Sequence, residues 1–596
     1  MTTSASLRTS LLAVFFAILL LAMVPCLTCA QSGTQNSAIV PNALFSDHMV
    51  LQNGMMVPIW GTAAPGEKVT VKFLGQTKSA TTGADGKWTV KLSKLKSGGP
   101  FTMTIAGAKG STPITINDVL VGEVWLGSGQ SNMVFPVSMK GRPGPYGLLD
   151  DAKEIAAANY PQVRMFTVPD KKSFTPLTDV KAVWKVCSPD TVADFSAMGY
   201  LFGRDLNQAL KLPVGIVLSA SGSSTAEAWI SREALVADPI MKPVVEGFDT
   251  REAAWKANPT PPTPPAPRPA APPVLATTTP GAPGAPPAPG APPAPGAPAA
   301  AGGPPGTRRA RGGGGDPAND QHQPTVLFNG MINPILPYAI RGAIWYQGES
   351  ILGNPGIPGY GHVMASLITT WRQLWGEGNF PFYEVQLGPL KNNSNNPRVR
   401  EQQAEILSLP NTGVATAIDI GDSANVHPKN KEPLCDRLTR IALANVYGRK
   451  MEFYGPMYTG MKVEGGAIRI SFTHAQGLTT HYPDGLYAHV SSPPNPPSTA
   501  EVPTTNDGPL KWFQIAGADG KYVDAQATID GSTVVVRSPD VAAPTEVRYA
   551  WDNYPYGANL YNSAGLPAFP FRTNRMDEPV AAPRAAPAVP APPQAQ

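Results

Sequence analysis

Cysteine is scarce in this chain, with four residues out of 596. Cys26 and Cys29 lie near the N-terminus, so only Cys187 and Cys435 fall in the body of the sequence. Two isolated cysteines make neither a disulfide framework nor a zinc cluster. One bridge between them and two buried free thiols both remain open. Long basic runs are missing as well. The net charge is +4, and no Lys/Arg stretch suggests a nucleic-acid partner. There is no HExxH and no EF-hand loop, so neither a metal nor another cofactor is implied. Two common signatures are present only in part. Gly127-Ser128-Gly129 is followed by Asn132 where a dinucleotide fingerprint wants its third glycine. Gly129-Gln130-Ser131-Asn132 runs into Met133, which removes the last glycine of an α/β-hydrolase nucleophile elbow.

What is present can build a core. The composition is 42% hydrophobic, and the length predicts about three domains. Residues 1–30 read as an export signal. Arg8 supplies a positive start, Leu11 to Val24 an apolar stretch, and Thr28-Cys29-Ala30 a small-residue cleavage site. That stretch is too short for a stable span, and no stable membrane span is expected after its cleavage; an uncleaved anchor is the alternative. The localisation expected is periplasmic or extracellular. Residues 38–117 alternate short apolar runs with Gly, Pro and Asp turns, which suggests a small β-sandwich. Gly83-Ala84-Asp85-Gly86-Lys87-Trp88 reads as a hairpin turn.

From residue 118 to 448 apolar strand-like runs alternate with helical patterns. Val363, Met364, Leu367, Ile368, Trp371, Leu374 and Trp375 follow the spacing of an amphipathic helix, as do Leu434, Leu438 and Ile441. Such alternation predicts an α/β fold, a parallel sheet with helices on both faces. Residues 258–319 interrupt it with a Pro/Ala/Gly-rich segment that has little to bury and is expected to be disordered. Residues 450–573 return to short strands, and the tail, 577–596, is again Pro/Ala-rich.

In an open α/β sheet ligands bind beyond the carboxyl ends of the strands. Four apolar runs of the central region end in chemistry-bearing residues. The first runs into Gly127-Ser128-Gly129-Gln130-Ser131-Asn132 and the second into Ser221-Gly222-Ser223-Ser224. The third meets Gln347-Gly348-Glu349, and the fourth meets Gly421-Asp422 and then His427. A serine in a glycine turn is commonly a turn former only, and a carboxylate such as Glu349 commonly caps a helix. Together, the four ends supply a hydroxyl nucleophile, amide donors, an acid and a base. Of the other histidines, His48 lies in the β module and His322 beside the Pro-rich segment.

These pieces resemble a known family. Residues 122–133 (GEVWLGSGQSNM), 221–231 (SGSSTAEAWIS), 327–350 (ending WYQGES) and 427–448 (opening HPKNK) are similar to the sialate O-acetylesterase family of SGNH-type hydrolases. The likeness runs from about residue 38 to 573. It makes the Pro-rich segment an insertion within one catalytic domain, since Gly222 and Gln347 flank it. The fold it implies is an SGNH-hydrolase-like parallel sheet covered by helices, with an N-terminal β-sandwich-like module and a C-terminal β-rich module. Carried over by position, Ser131 would be the nucleophile and His427 its base. The backbone N–H groups of Ser131 and Gly222 and the side chain of Gln347 would form the oxyanion hole. The acid stays open between Glu349, placed first, and Asp422, with a Ser–His pair lacking a true acid as the third alternative. SGNH enzymes commonly place it in D-x-x-H, and Ala424 and Asn425 stand three and two residues before His427. The implied activity is that of an exported serine esterase removing O-acetyl groups from a carbohydrate, sialic acid first. Acetylated xylan or another polysaccharide is the competing substrate. The rival classes are a non-catalytic carbohydrate-binding protein and an acetyl transferase. Nothing in the sequence bears on oligomeric state.

Overall fold

The computed structural model describes residues 38–107, 112–139, 147–259, 316–351, 359–391, 396–421, 425–481 and 508–574. The expected export signal, most of the Pro-rich insertion and the tail lie outside them. Residues 316–319, assigned to that insertion from sequence, instead include a packed turn, Pro317–Asn319, with Ala318 buried.

Seven strands make the central sheet: Ile114–Gly129 (β1), Tyr160–Thr167 (β2), Trp184–Cys187 (β3), Val214–Ala220 (β4), Gly342–Tyr346 (β5), Phe382–Gln386 (β6) and Thr412–Thr416 (β7). Their order across the sheet is β3-β2-β4-β1-β5-β6-β7. All neighbours pair in parallel except the edge strand β3, which is antiparallel to β2. β4, β5, β6 and the carboxyl half of β1 are buried along their length, as a sheet covered on both faces requires. Successive side chains point to opposite faces. Trp125, Ile344 and Tyr383 therefore face one core, and Leu126, Trp345 and Phe382 the other. Helices Ala197–Leu210 (α1) and Glu432–Asn445 (α3) cover the first face, and Tyr360–Trp375 (α2) covers the second. The expected periodicities hold: Val363, Met364, Leu367, Ile368, Trp371 and Trp375 are buried in α2, and Leu434, Leu438 and Ile441 in α3.

β1 carries the chain from one sheet system into another. Its first half pairs with Gly98–Ala106 and with Val50–Gln52, while its second half lies at the centre of the α/β sheet. Within the N-terminal module the turn at Gly83 to Trp88 exists, with Gly86 at φ +75°. Its flanking strands do not form a hairpin, however. Gln76–Thr81 pairs with Lys68–Phe73, while Lys87–Leu92 pairs with Val57–Thr62 in a separate three-stranded sheet. A hairpin of this module turns instead at Leu74-Gly75, where both residues have positive φ. At the C-terminal end two four-stranded sheets close over their own core of Ile468, Ile470, Phe513, Val534 and Tyr549. Cys187 and Cys435 are both buried free thiols. Burial pushes the Cys187 thiol up to about 12.

Candidate active site

β1 is flanked by β4 and β5, so the ends of these three strands lie side by side. The order in which strands are added reverses around β1: the chain lays β2 and β4 on one side and β5 on the other. That makes this the switch point at which such sheets open a crevice. β1 ends at Gly129, whose φ is +130°. A Cβ there would come to 2.3 Å from the Tyr346 carbonyl oxygen. Gly129 therefore lets the chain pass hard against β5 and turn, and Gln130 N–H donates to the same carbonyl at 2.9 Å. The next residue, Ser131, opens the short helix Ser131–Val134.

Ser131 Oγ lies 2.8 Å from His427 Nε2, although 296 residues separate them in sequence. Gly222, at the end of β4, sits against the serine: a Cβ on it would be 4.0 Å from Ser131 Cβ. Gln347, at the end of β5, is fully buried, and one N–H of its amide donates to the Ser224 carbonyl at 3.1 Å. Ser131, Gly222 and Gln347 thus gather at adjacent strand ends, and His427 reaches them from the connection between β7 and α3. The His427 ring packs on Phe135 with 5.8 Å between ring centroids. Burial, aided by the charge of Lys431, pushes its imidazole down to about 4. The imidazole is therefore neutral, and Nε2 can accept the serine proton.

The carboxylates behave differently. Glu349 keeps some exposure as a residue, but its Oε2 is closed off from solvent. Its Oε1 accepts from Asn132 Nδ2 at 2.6 Å, so its hydrogen bond runs to the residue after the serine and not to His427. Burial raises the Glu349 carboxyl above the usual range. Asp422 lies outside the described residues. Asp419, further back on the same connection, is held by Arg437 through two bonds of 2.8 and 2.7 Å. Asn425 wraps the backbone of His427: its Oδ1 accepts from His427 N–H at 3.0 Å, and its Nδ2 donates to the His427 carbonyl at 3.1 Å. A cleft of about 310 Å³ runs along this segment, bordered by Glu349, Leu390, Asn396, Val426 and Pro428.

Two residues of the site went unread in the sequence. Asn132 is fully buried between Ser131 and the carboxylate. Lys431 is 1% exposed, and its ammonium donates to Asn132 Oδ1. Both stand inside the quoted GQSN and HPKNK stretches, yet nothing local says that a lysine four residues past His427 turns inward. Other histidines pair with carboxylates elsewhere: His48 with Asp118, His322 with Asp320, His362 with Asp238 and His474 with Glu452, at 2.6, 2.6, 2.7 and 2.6 Å. Among the described residues no group of three or more His, Cys, Asp or Glu could hold a metal ion.

The chain is similar to known carbohydrate esterases. A family model for carbohydrate esterases, the sialic acid-specific acetylesterases, matches residues 312–440. A sialate O-acetylesterase of Rattus norvegicus is 28% identical over 581 residues, covering 88% of this chain and 92% of the relative. One of Homo sapiens is 25% identical over 559 residues, covering 86% and 88%. The crystal structure of a carbohydrate acetylesterase from Xanthomonas citri superposes with a TM-score of 0.68 at 29% identity, over 90% of this chain and all of the other.

Proposed function

We propose that this chain, a carboxylic ester hydrolase similar to sialate O-acetylesterases over most of its length, removes O-acetyl groups from an acetylated sugar by a Ser131–His427 mechanism. The observation that carries this reading is the 2.8 Å contact between Ser131 Oγ and His427 Nε2, with Gly222 against the serine. His427 takes the Ser131 proton as Oγ attacks the acetyl carbon. The charge that develops on the carbonyl oxygen is met by the N–H groups of Ser131 and Gly222 and the remaining N–H of Gln347. The bond to the sugar oxygen then breaks, and His427 hands that oxygen its proton. Water attacks the acetyl-serine in turn. His427 takes a proton from the water and returns it to Ser131 Oγ, releasing acetate.

The preferred substrate is O-acetylated sialic acid, with the names of the relatives as its support. Acetylated xylan is the competitor. Acetate release is to be measured from both with the purified protein and with Ser131→Ala. Release from sialic acid that disappears in the variant is expected, at a loss of order 10⁴ or more in kcat. Undiminished activity in Ser131→Ala would sink the nucleophile, and preference for xylan would replace the substrate. Export is part of the proposal and rests on Arg8 and the apolar run Leu11 to Val24. Among the described residues no helix is long and apolar enough to cross a membrane.

A further inference from the structure

Asn132 holds together the two strands of chain that carry Ser131 and His427. Its Nδ2 donates to Glu349 Oε1 at 2.6 Å and to the carbonyl of Val426, the residue before His427, at 3.0 Å. Its Oδ1 accepts from Lys431, four residues after His427. Both N–H groups and the oxygen of the amide are therefore engaged, which fixes its orientation. Lys431 is itself enclosed. Its ammonium lies 5.2 Å from the Phe135 ring centre and 4.9 Å from that of Tyr346, both contacts a cation favours. We propose that Lys431 is a positioning residue for the esterase reaction: through Asn132 it sets the approach of His427 to Ser131, and it brings a buried positive charge to that pair. This inference rests on the Ser131–His427 mechanism proposed above.

The surroundings support an electrostatic role beside the mechanical one. A lysine with 1% exposure has lost its water shell, and that burial pushes it down to about 7, with Glu349 opposing. His427 titrates lower, near 4. Lys431 therefore carries its proton throughout the range in which His427 would gain one, and like charge disfavours that gain. Among the described residues, these groups face the pair. Glu349 lies after β5, Tyr346 on β5 has its hydroxyl pushed well up by burial, and Cys435 stands one turn along α3 with its thiol also pushed up. Beyond Cys435, Arg204 and Asp205 of α1 pair with each other at 2.9 Å, and Glu432, at the start of α3, lies 3.9 Å from Arg204. Glu349 is thus the one carboxylate placed to balance Lys431 at this site among the described residues.

The test is Lys431→Met in the full-length protein. It keeps most of the packing of the side chain, one atom shorter, and removes the charge. Turnover of an aryl acetate is followed from about pH 3.5 to 8, giving kcat and KM separately. The expected result is a kcat lower by roughly 100-fold with KM unchanged. The acid limb of kcat/KM should also move upward by about one unit. A purely structural role would leave that limb in place. If the Met variant does not fold, Lys431→Gln, which keeps a donor toward Asn132 without the charge, is read by the same profile. Ser131→Ala, measured alongside, keeps two failures apart. Activity that persists in Ser131→Ala overturns the mechanism on which the inference rests. Activity lost there while the Lys431 variant keeps wild-type kcat and acid limb overturns the role of Lys431 alone.

Discussion

At the scale of single residues, His427 is the group on which pH acts. Burial and a neighbouring cation both push its proton off, to about 4. A base is active when neutral, so its activity is lost only as pH falls through that value. The rate profile of kcat/KM should therefore hold nearly level down to about pH 5, where an unperturbed imidazole, titrating near 6.5, would already be mostly protonated. An inflection near 6.5 would contradict the enclosure of His427. Glu349 gives a second prediction. Its hydrogen bond goes to Asn132, and Glu349→Gln keeps an acceptor oxygen there. The expected loss in kcat is about 10-fold or less, set against about 10⁴ for a carboxylate that orients the histidine. A loss of the larger size would make Glu349 the orienting acid. Ser131, Gly222 and Gln347 were legible because each follows a strand in a recognisable local pattern, and His427 because it opens the HPKNK stretch before α3. Lys431 was not, because the burial of a lysine is decided by rings and an amide brought in from β5 and from the turn after β1. Those contacts have no trace in the residues beside it.

At the scale of elements, the turn between β1 and the serine is where sequence and geometry meet. A glycine before Gln130-Ser131 looked like a turn former, and it is one. The structure adds that its left-handed φ and its 2.3 Å clearance to the Tyr346 carbonyl exclude any side chain. Gly129→Ala would have to part β1 from β5 at the point where the serine is presented. A loss of about 3 kcal/mol or more in stability is expected, together with loss of activity. Denaturant unfolding measures the first and aryl acetate turnover the second. A variant as stable and active as the parent would mean that the turn can relax. The strands and helices that could be read in advance are those with strong periodicity, such as α2. The Asp85-Gly86 turn shows the limit of such reading. Local chemistry foretold a tight turn, but which strands pair across a turn depends on where each finds partners, and Gln76–Thr81 and Lys87–Leu92 find theirs in different sheets.

At the scale of the molecule, the residues of the candidate site come from four places in the chain and meet only through the fold. The N-terminal module is tied to that sheet by β1 itself, which makes it part of one structural unit with the α/β domain. The Pro-rich segment stands in a different relation to the site. It leaves the described structure after helix Lys242–Ala257 and returns at the turn Pro317–Asn319, and these two elements pack on each other. Arg251 of that helix also donates to Gln323 Oε1 at 2.7 Å. The two points of departure and return are thus held together by described residues on both sides. Closing the gap with a shorter connection should cost little, since the entropy of a loop changes by only about 0.6 kcal/mol for each doubling of its length. Replacing residues 260–315 with a short Gly/Ser linker is therefore expected to leave kcat/KM for an aryl acetate unchanged and to shift Tm by no more than about 2 °C. Acetate release from a polymeric substrate is the informative contrast. If it falls while the aryl acetate is turned over as before, the segment acts on long substrates. If both activities fall with Tm, the segment is part of the fold, and its reading as an insertion is wrong.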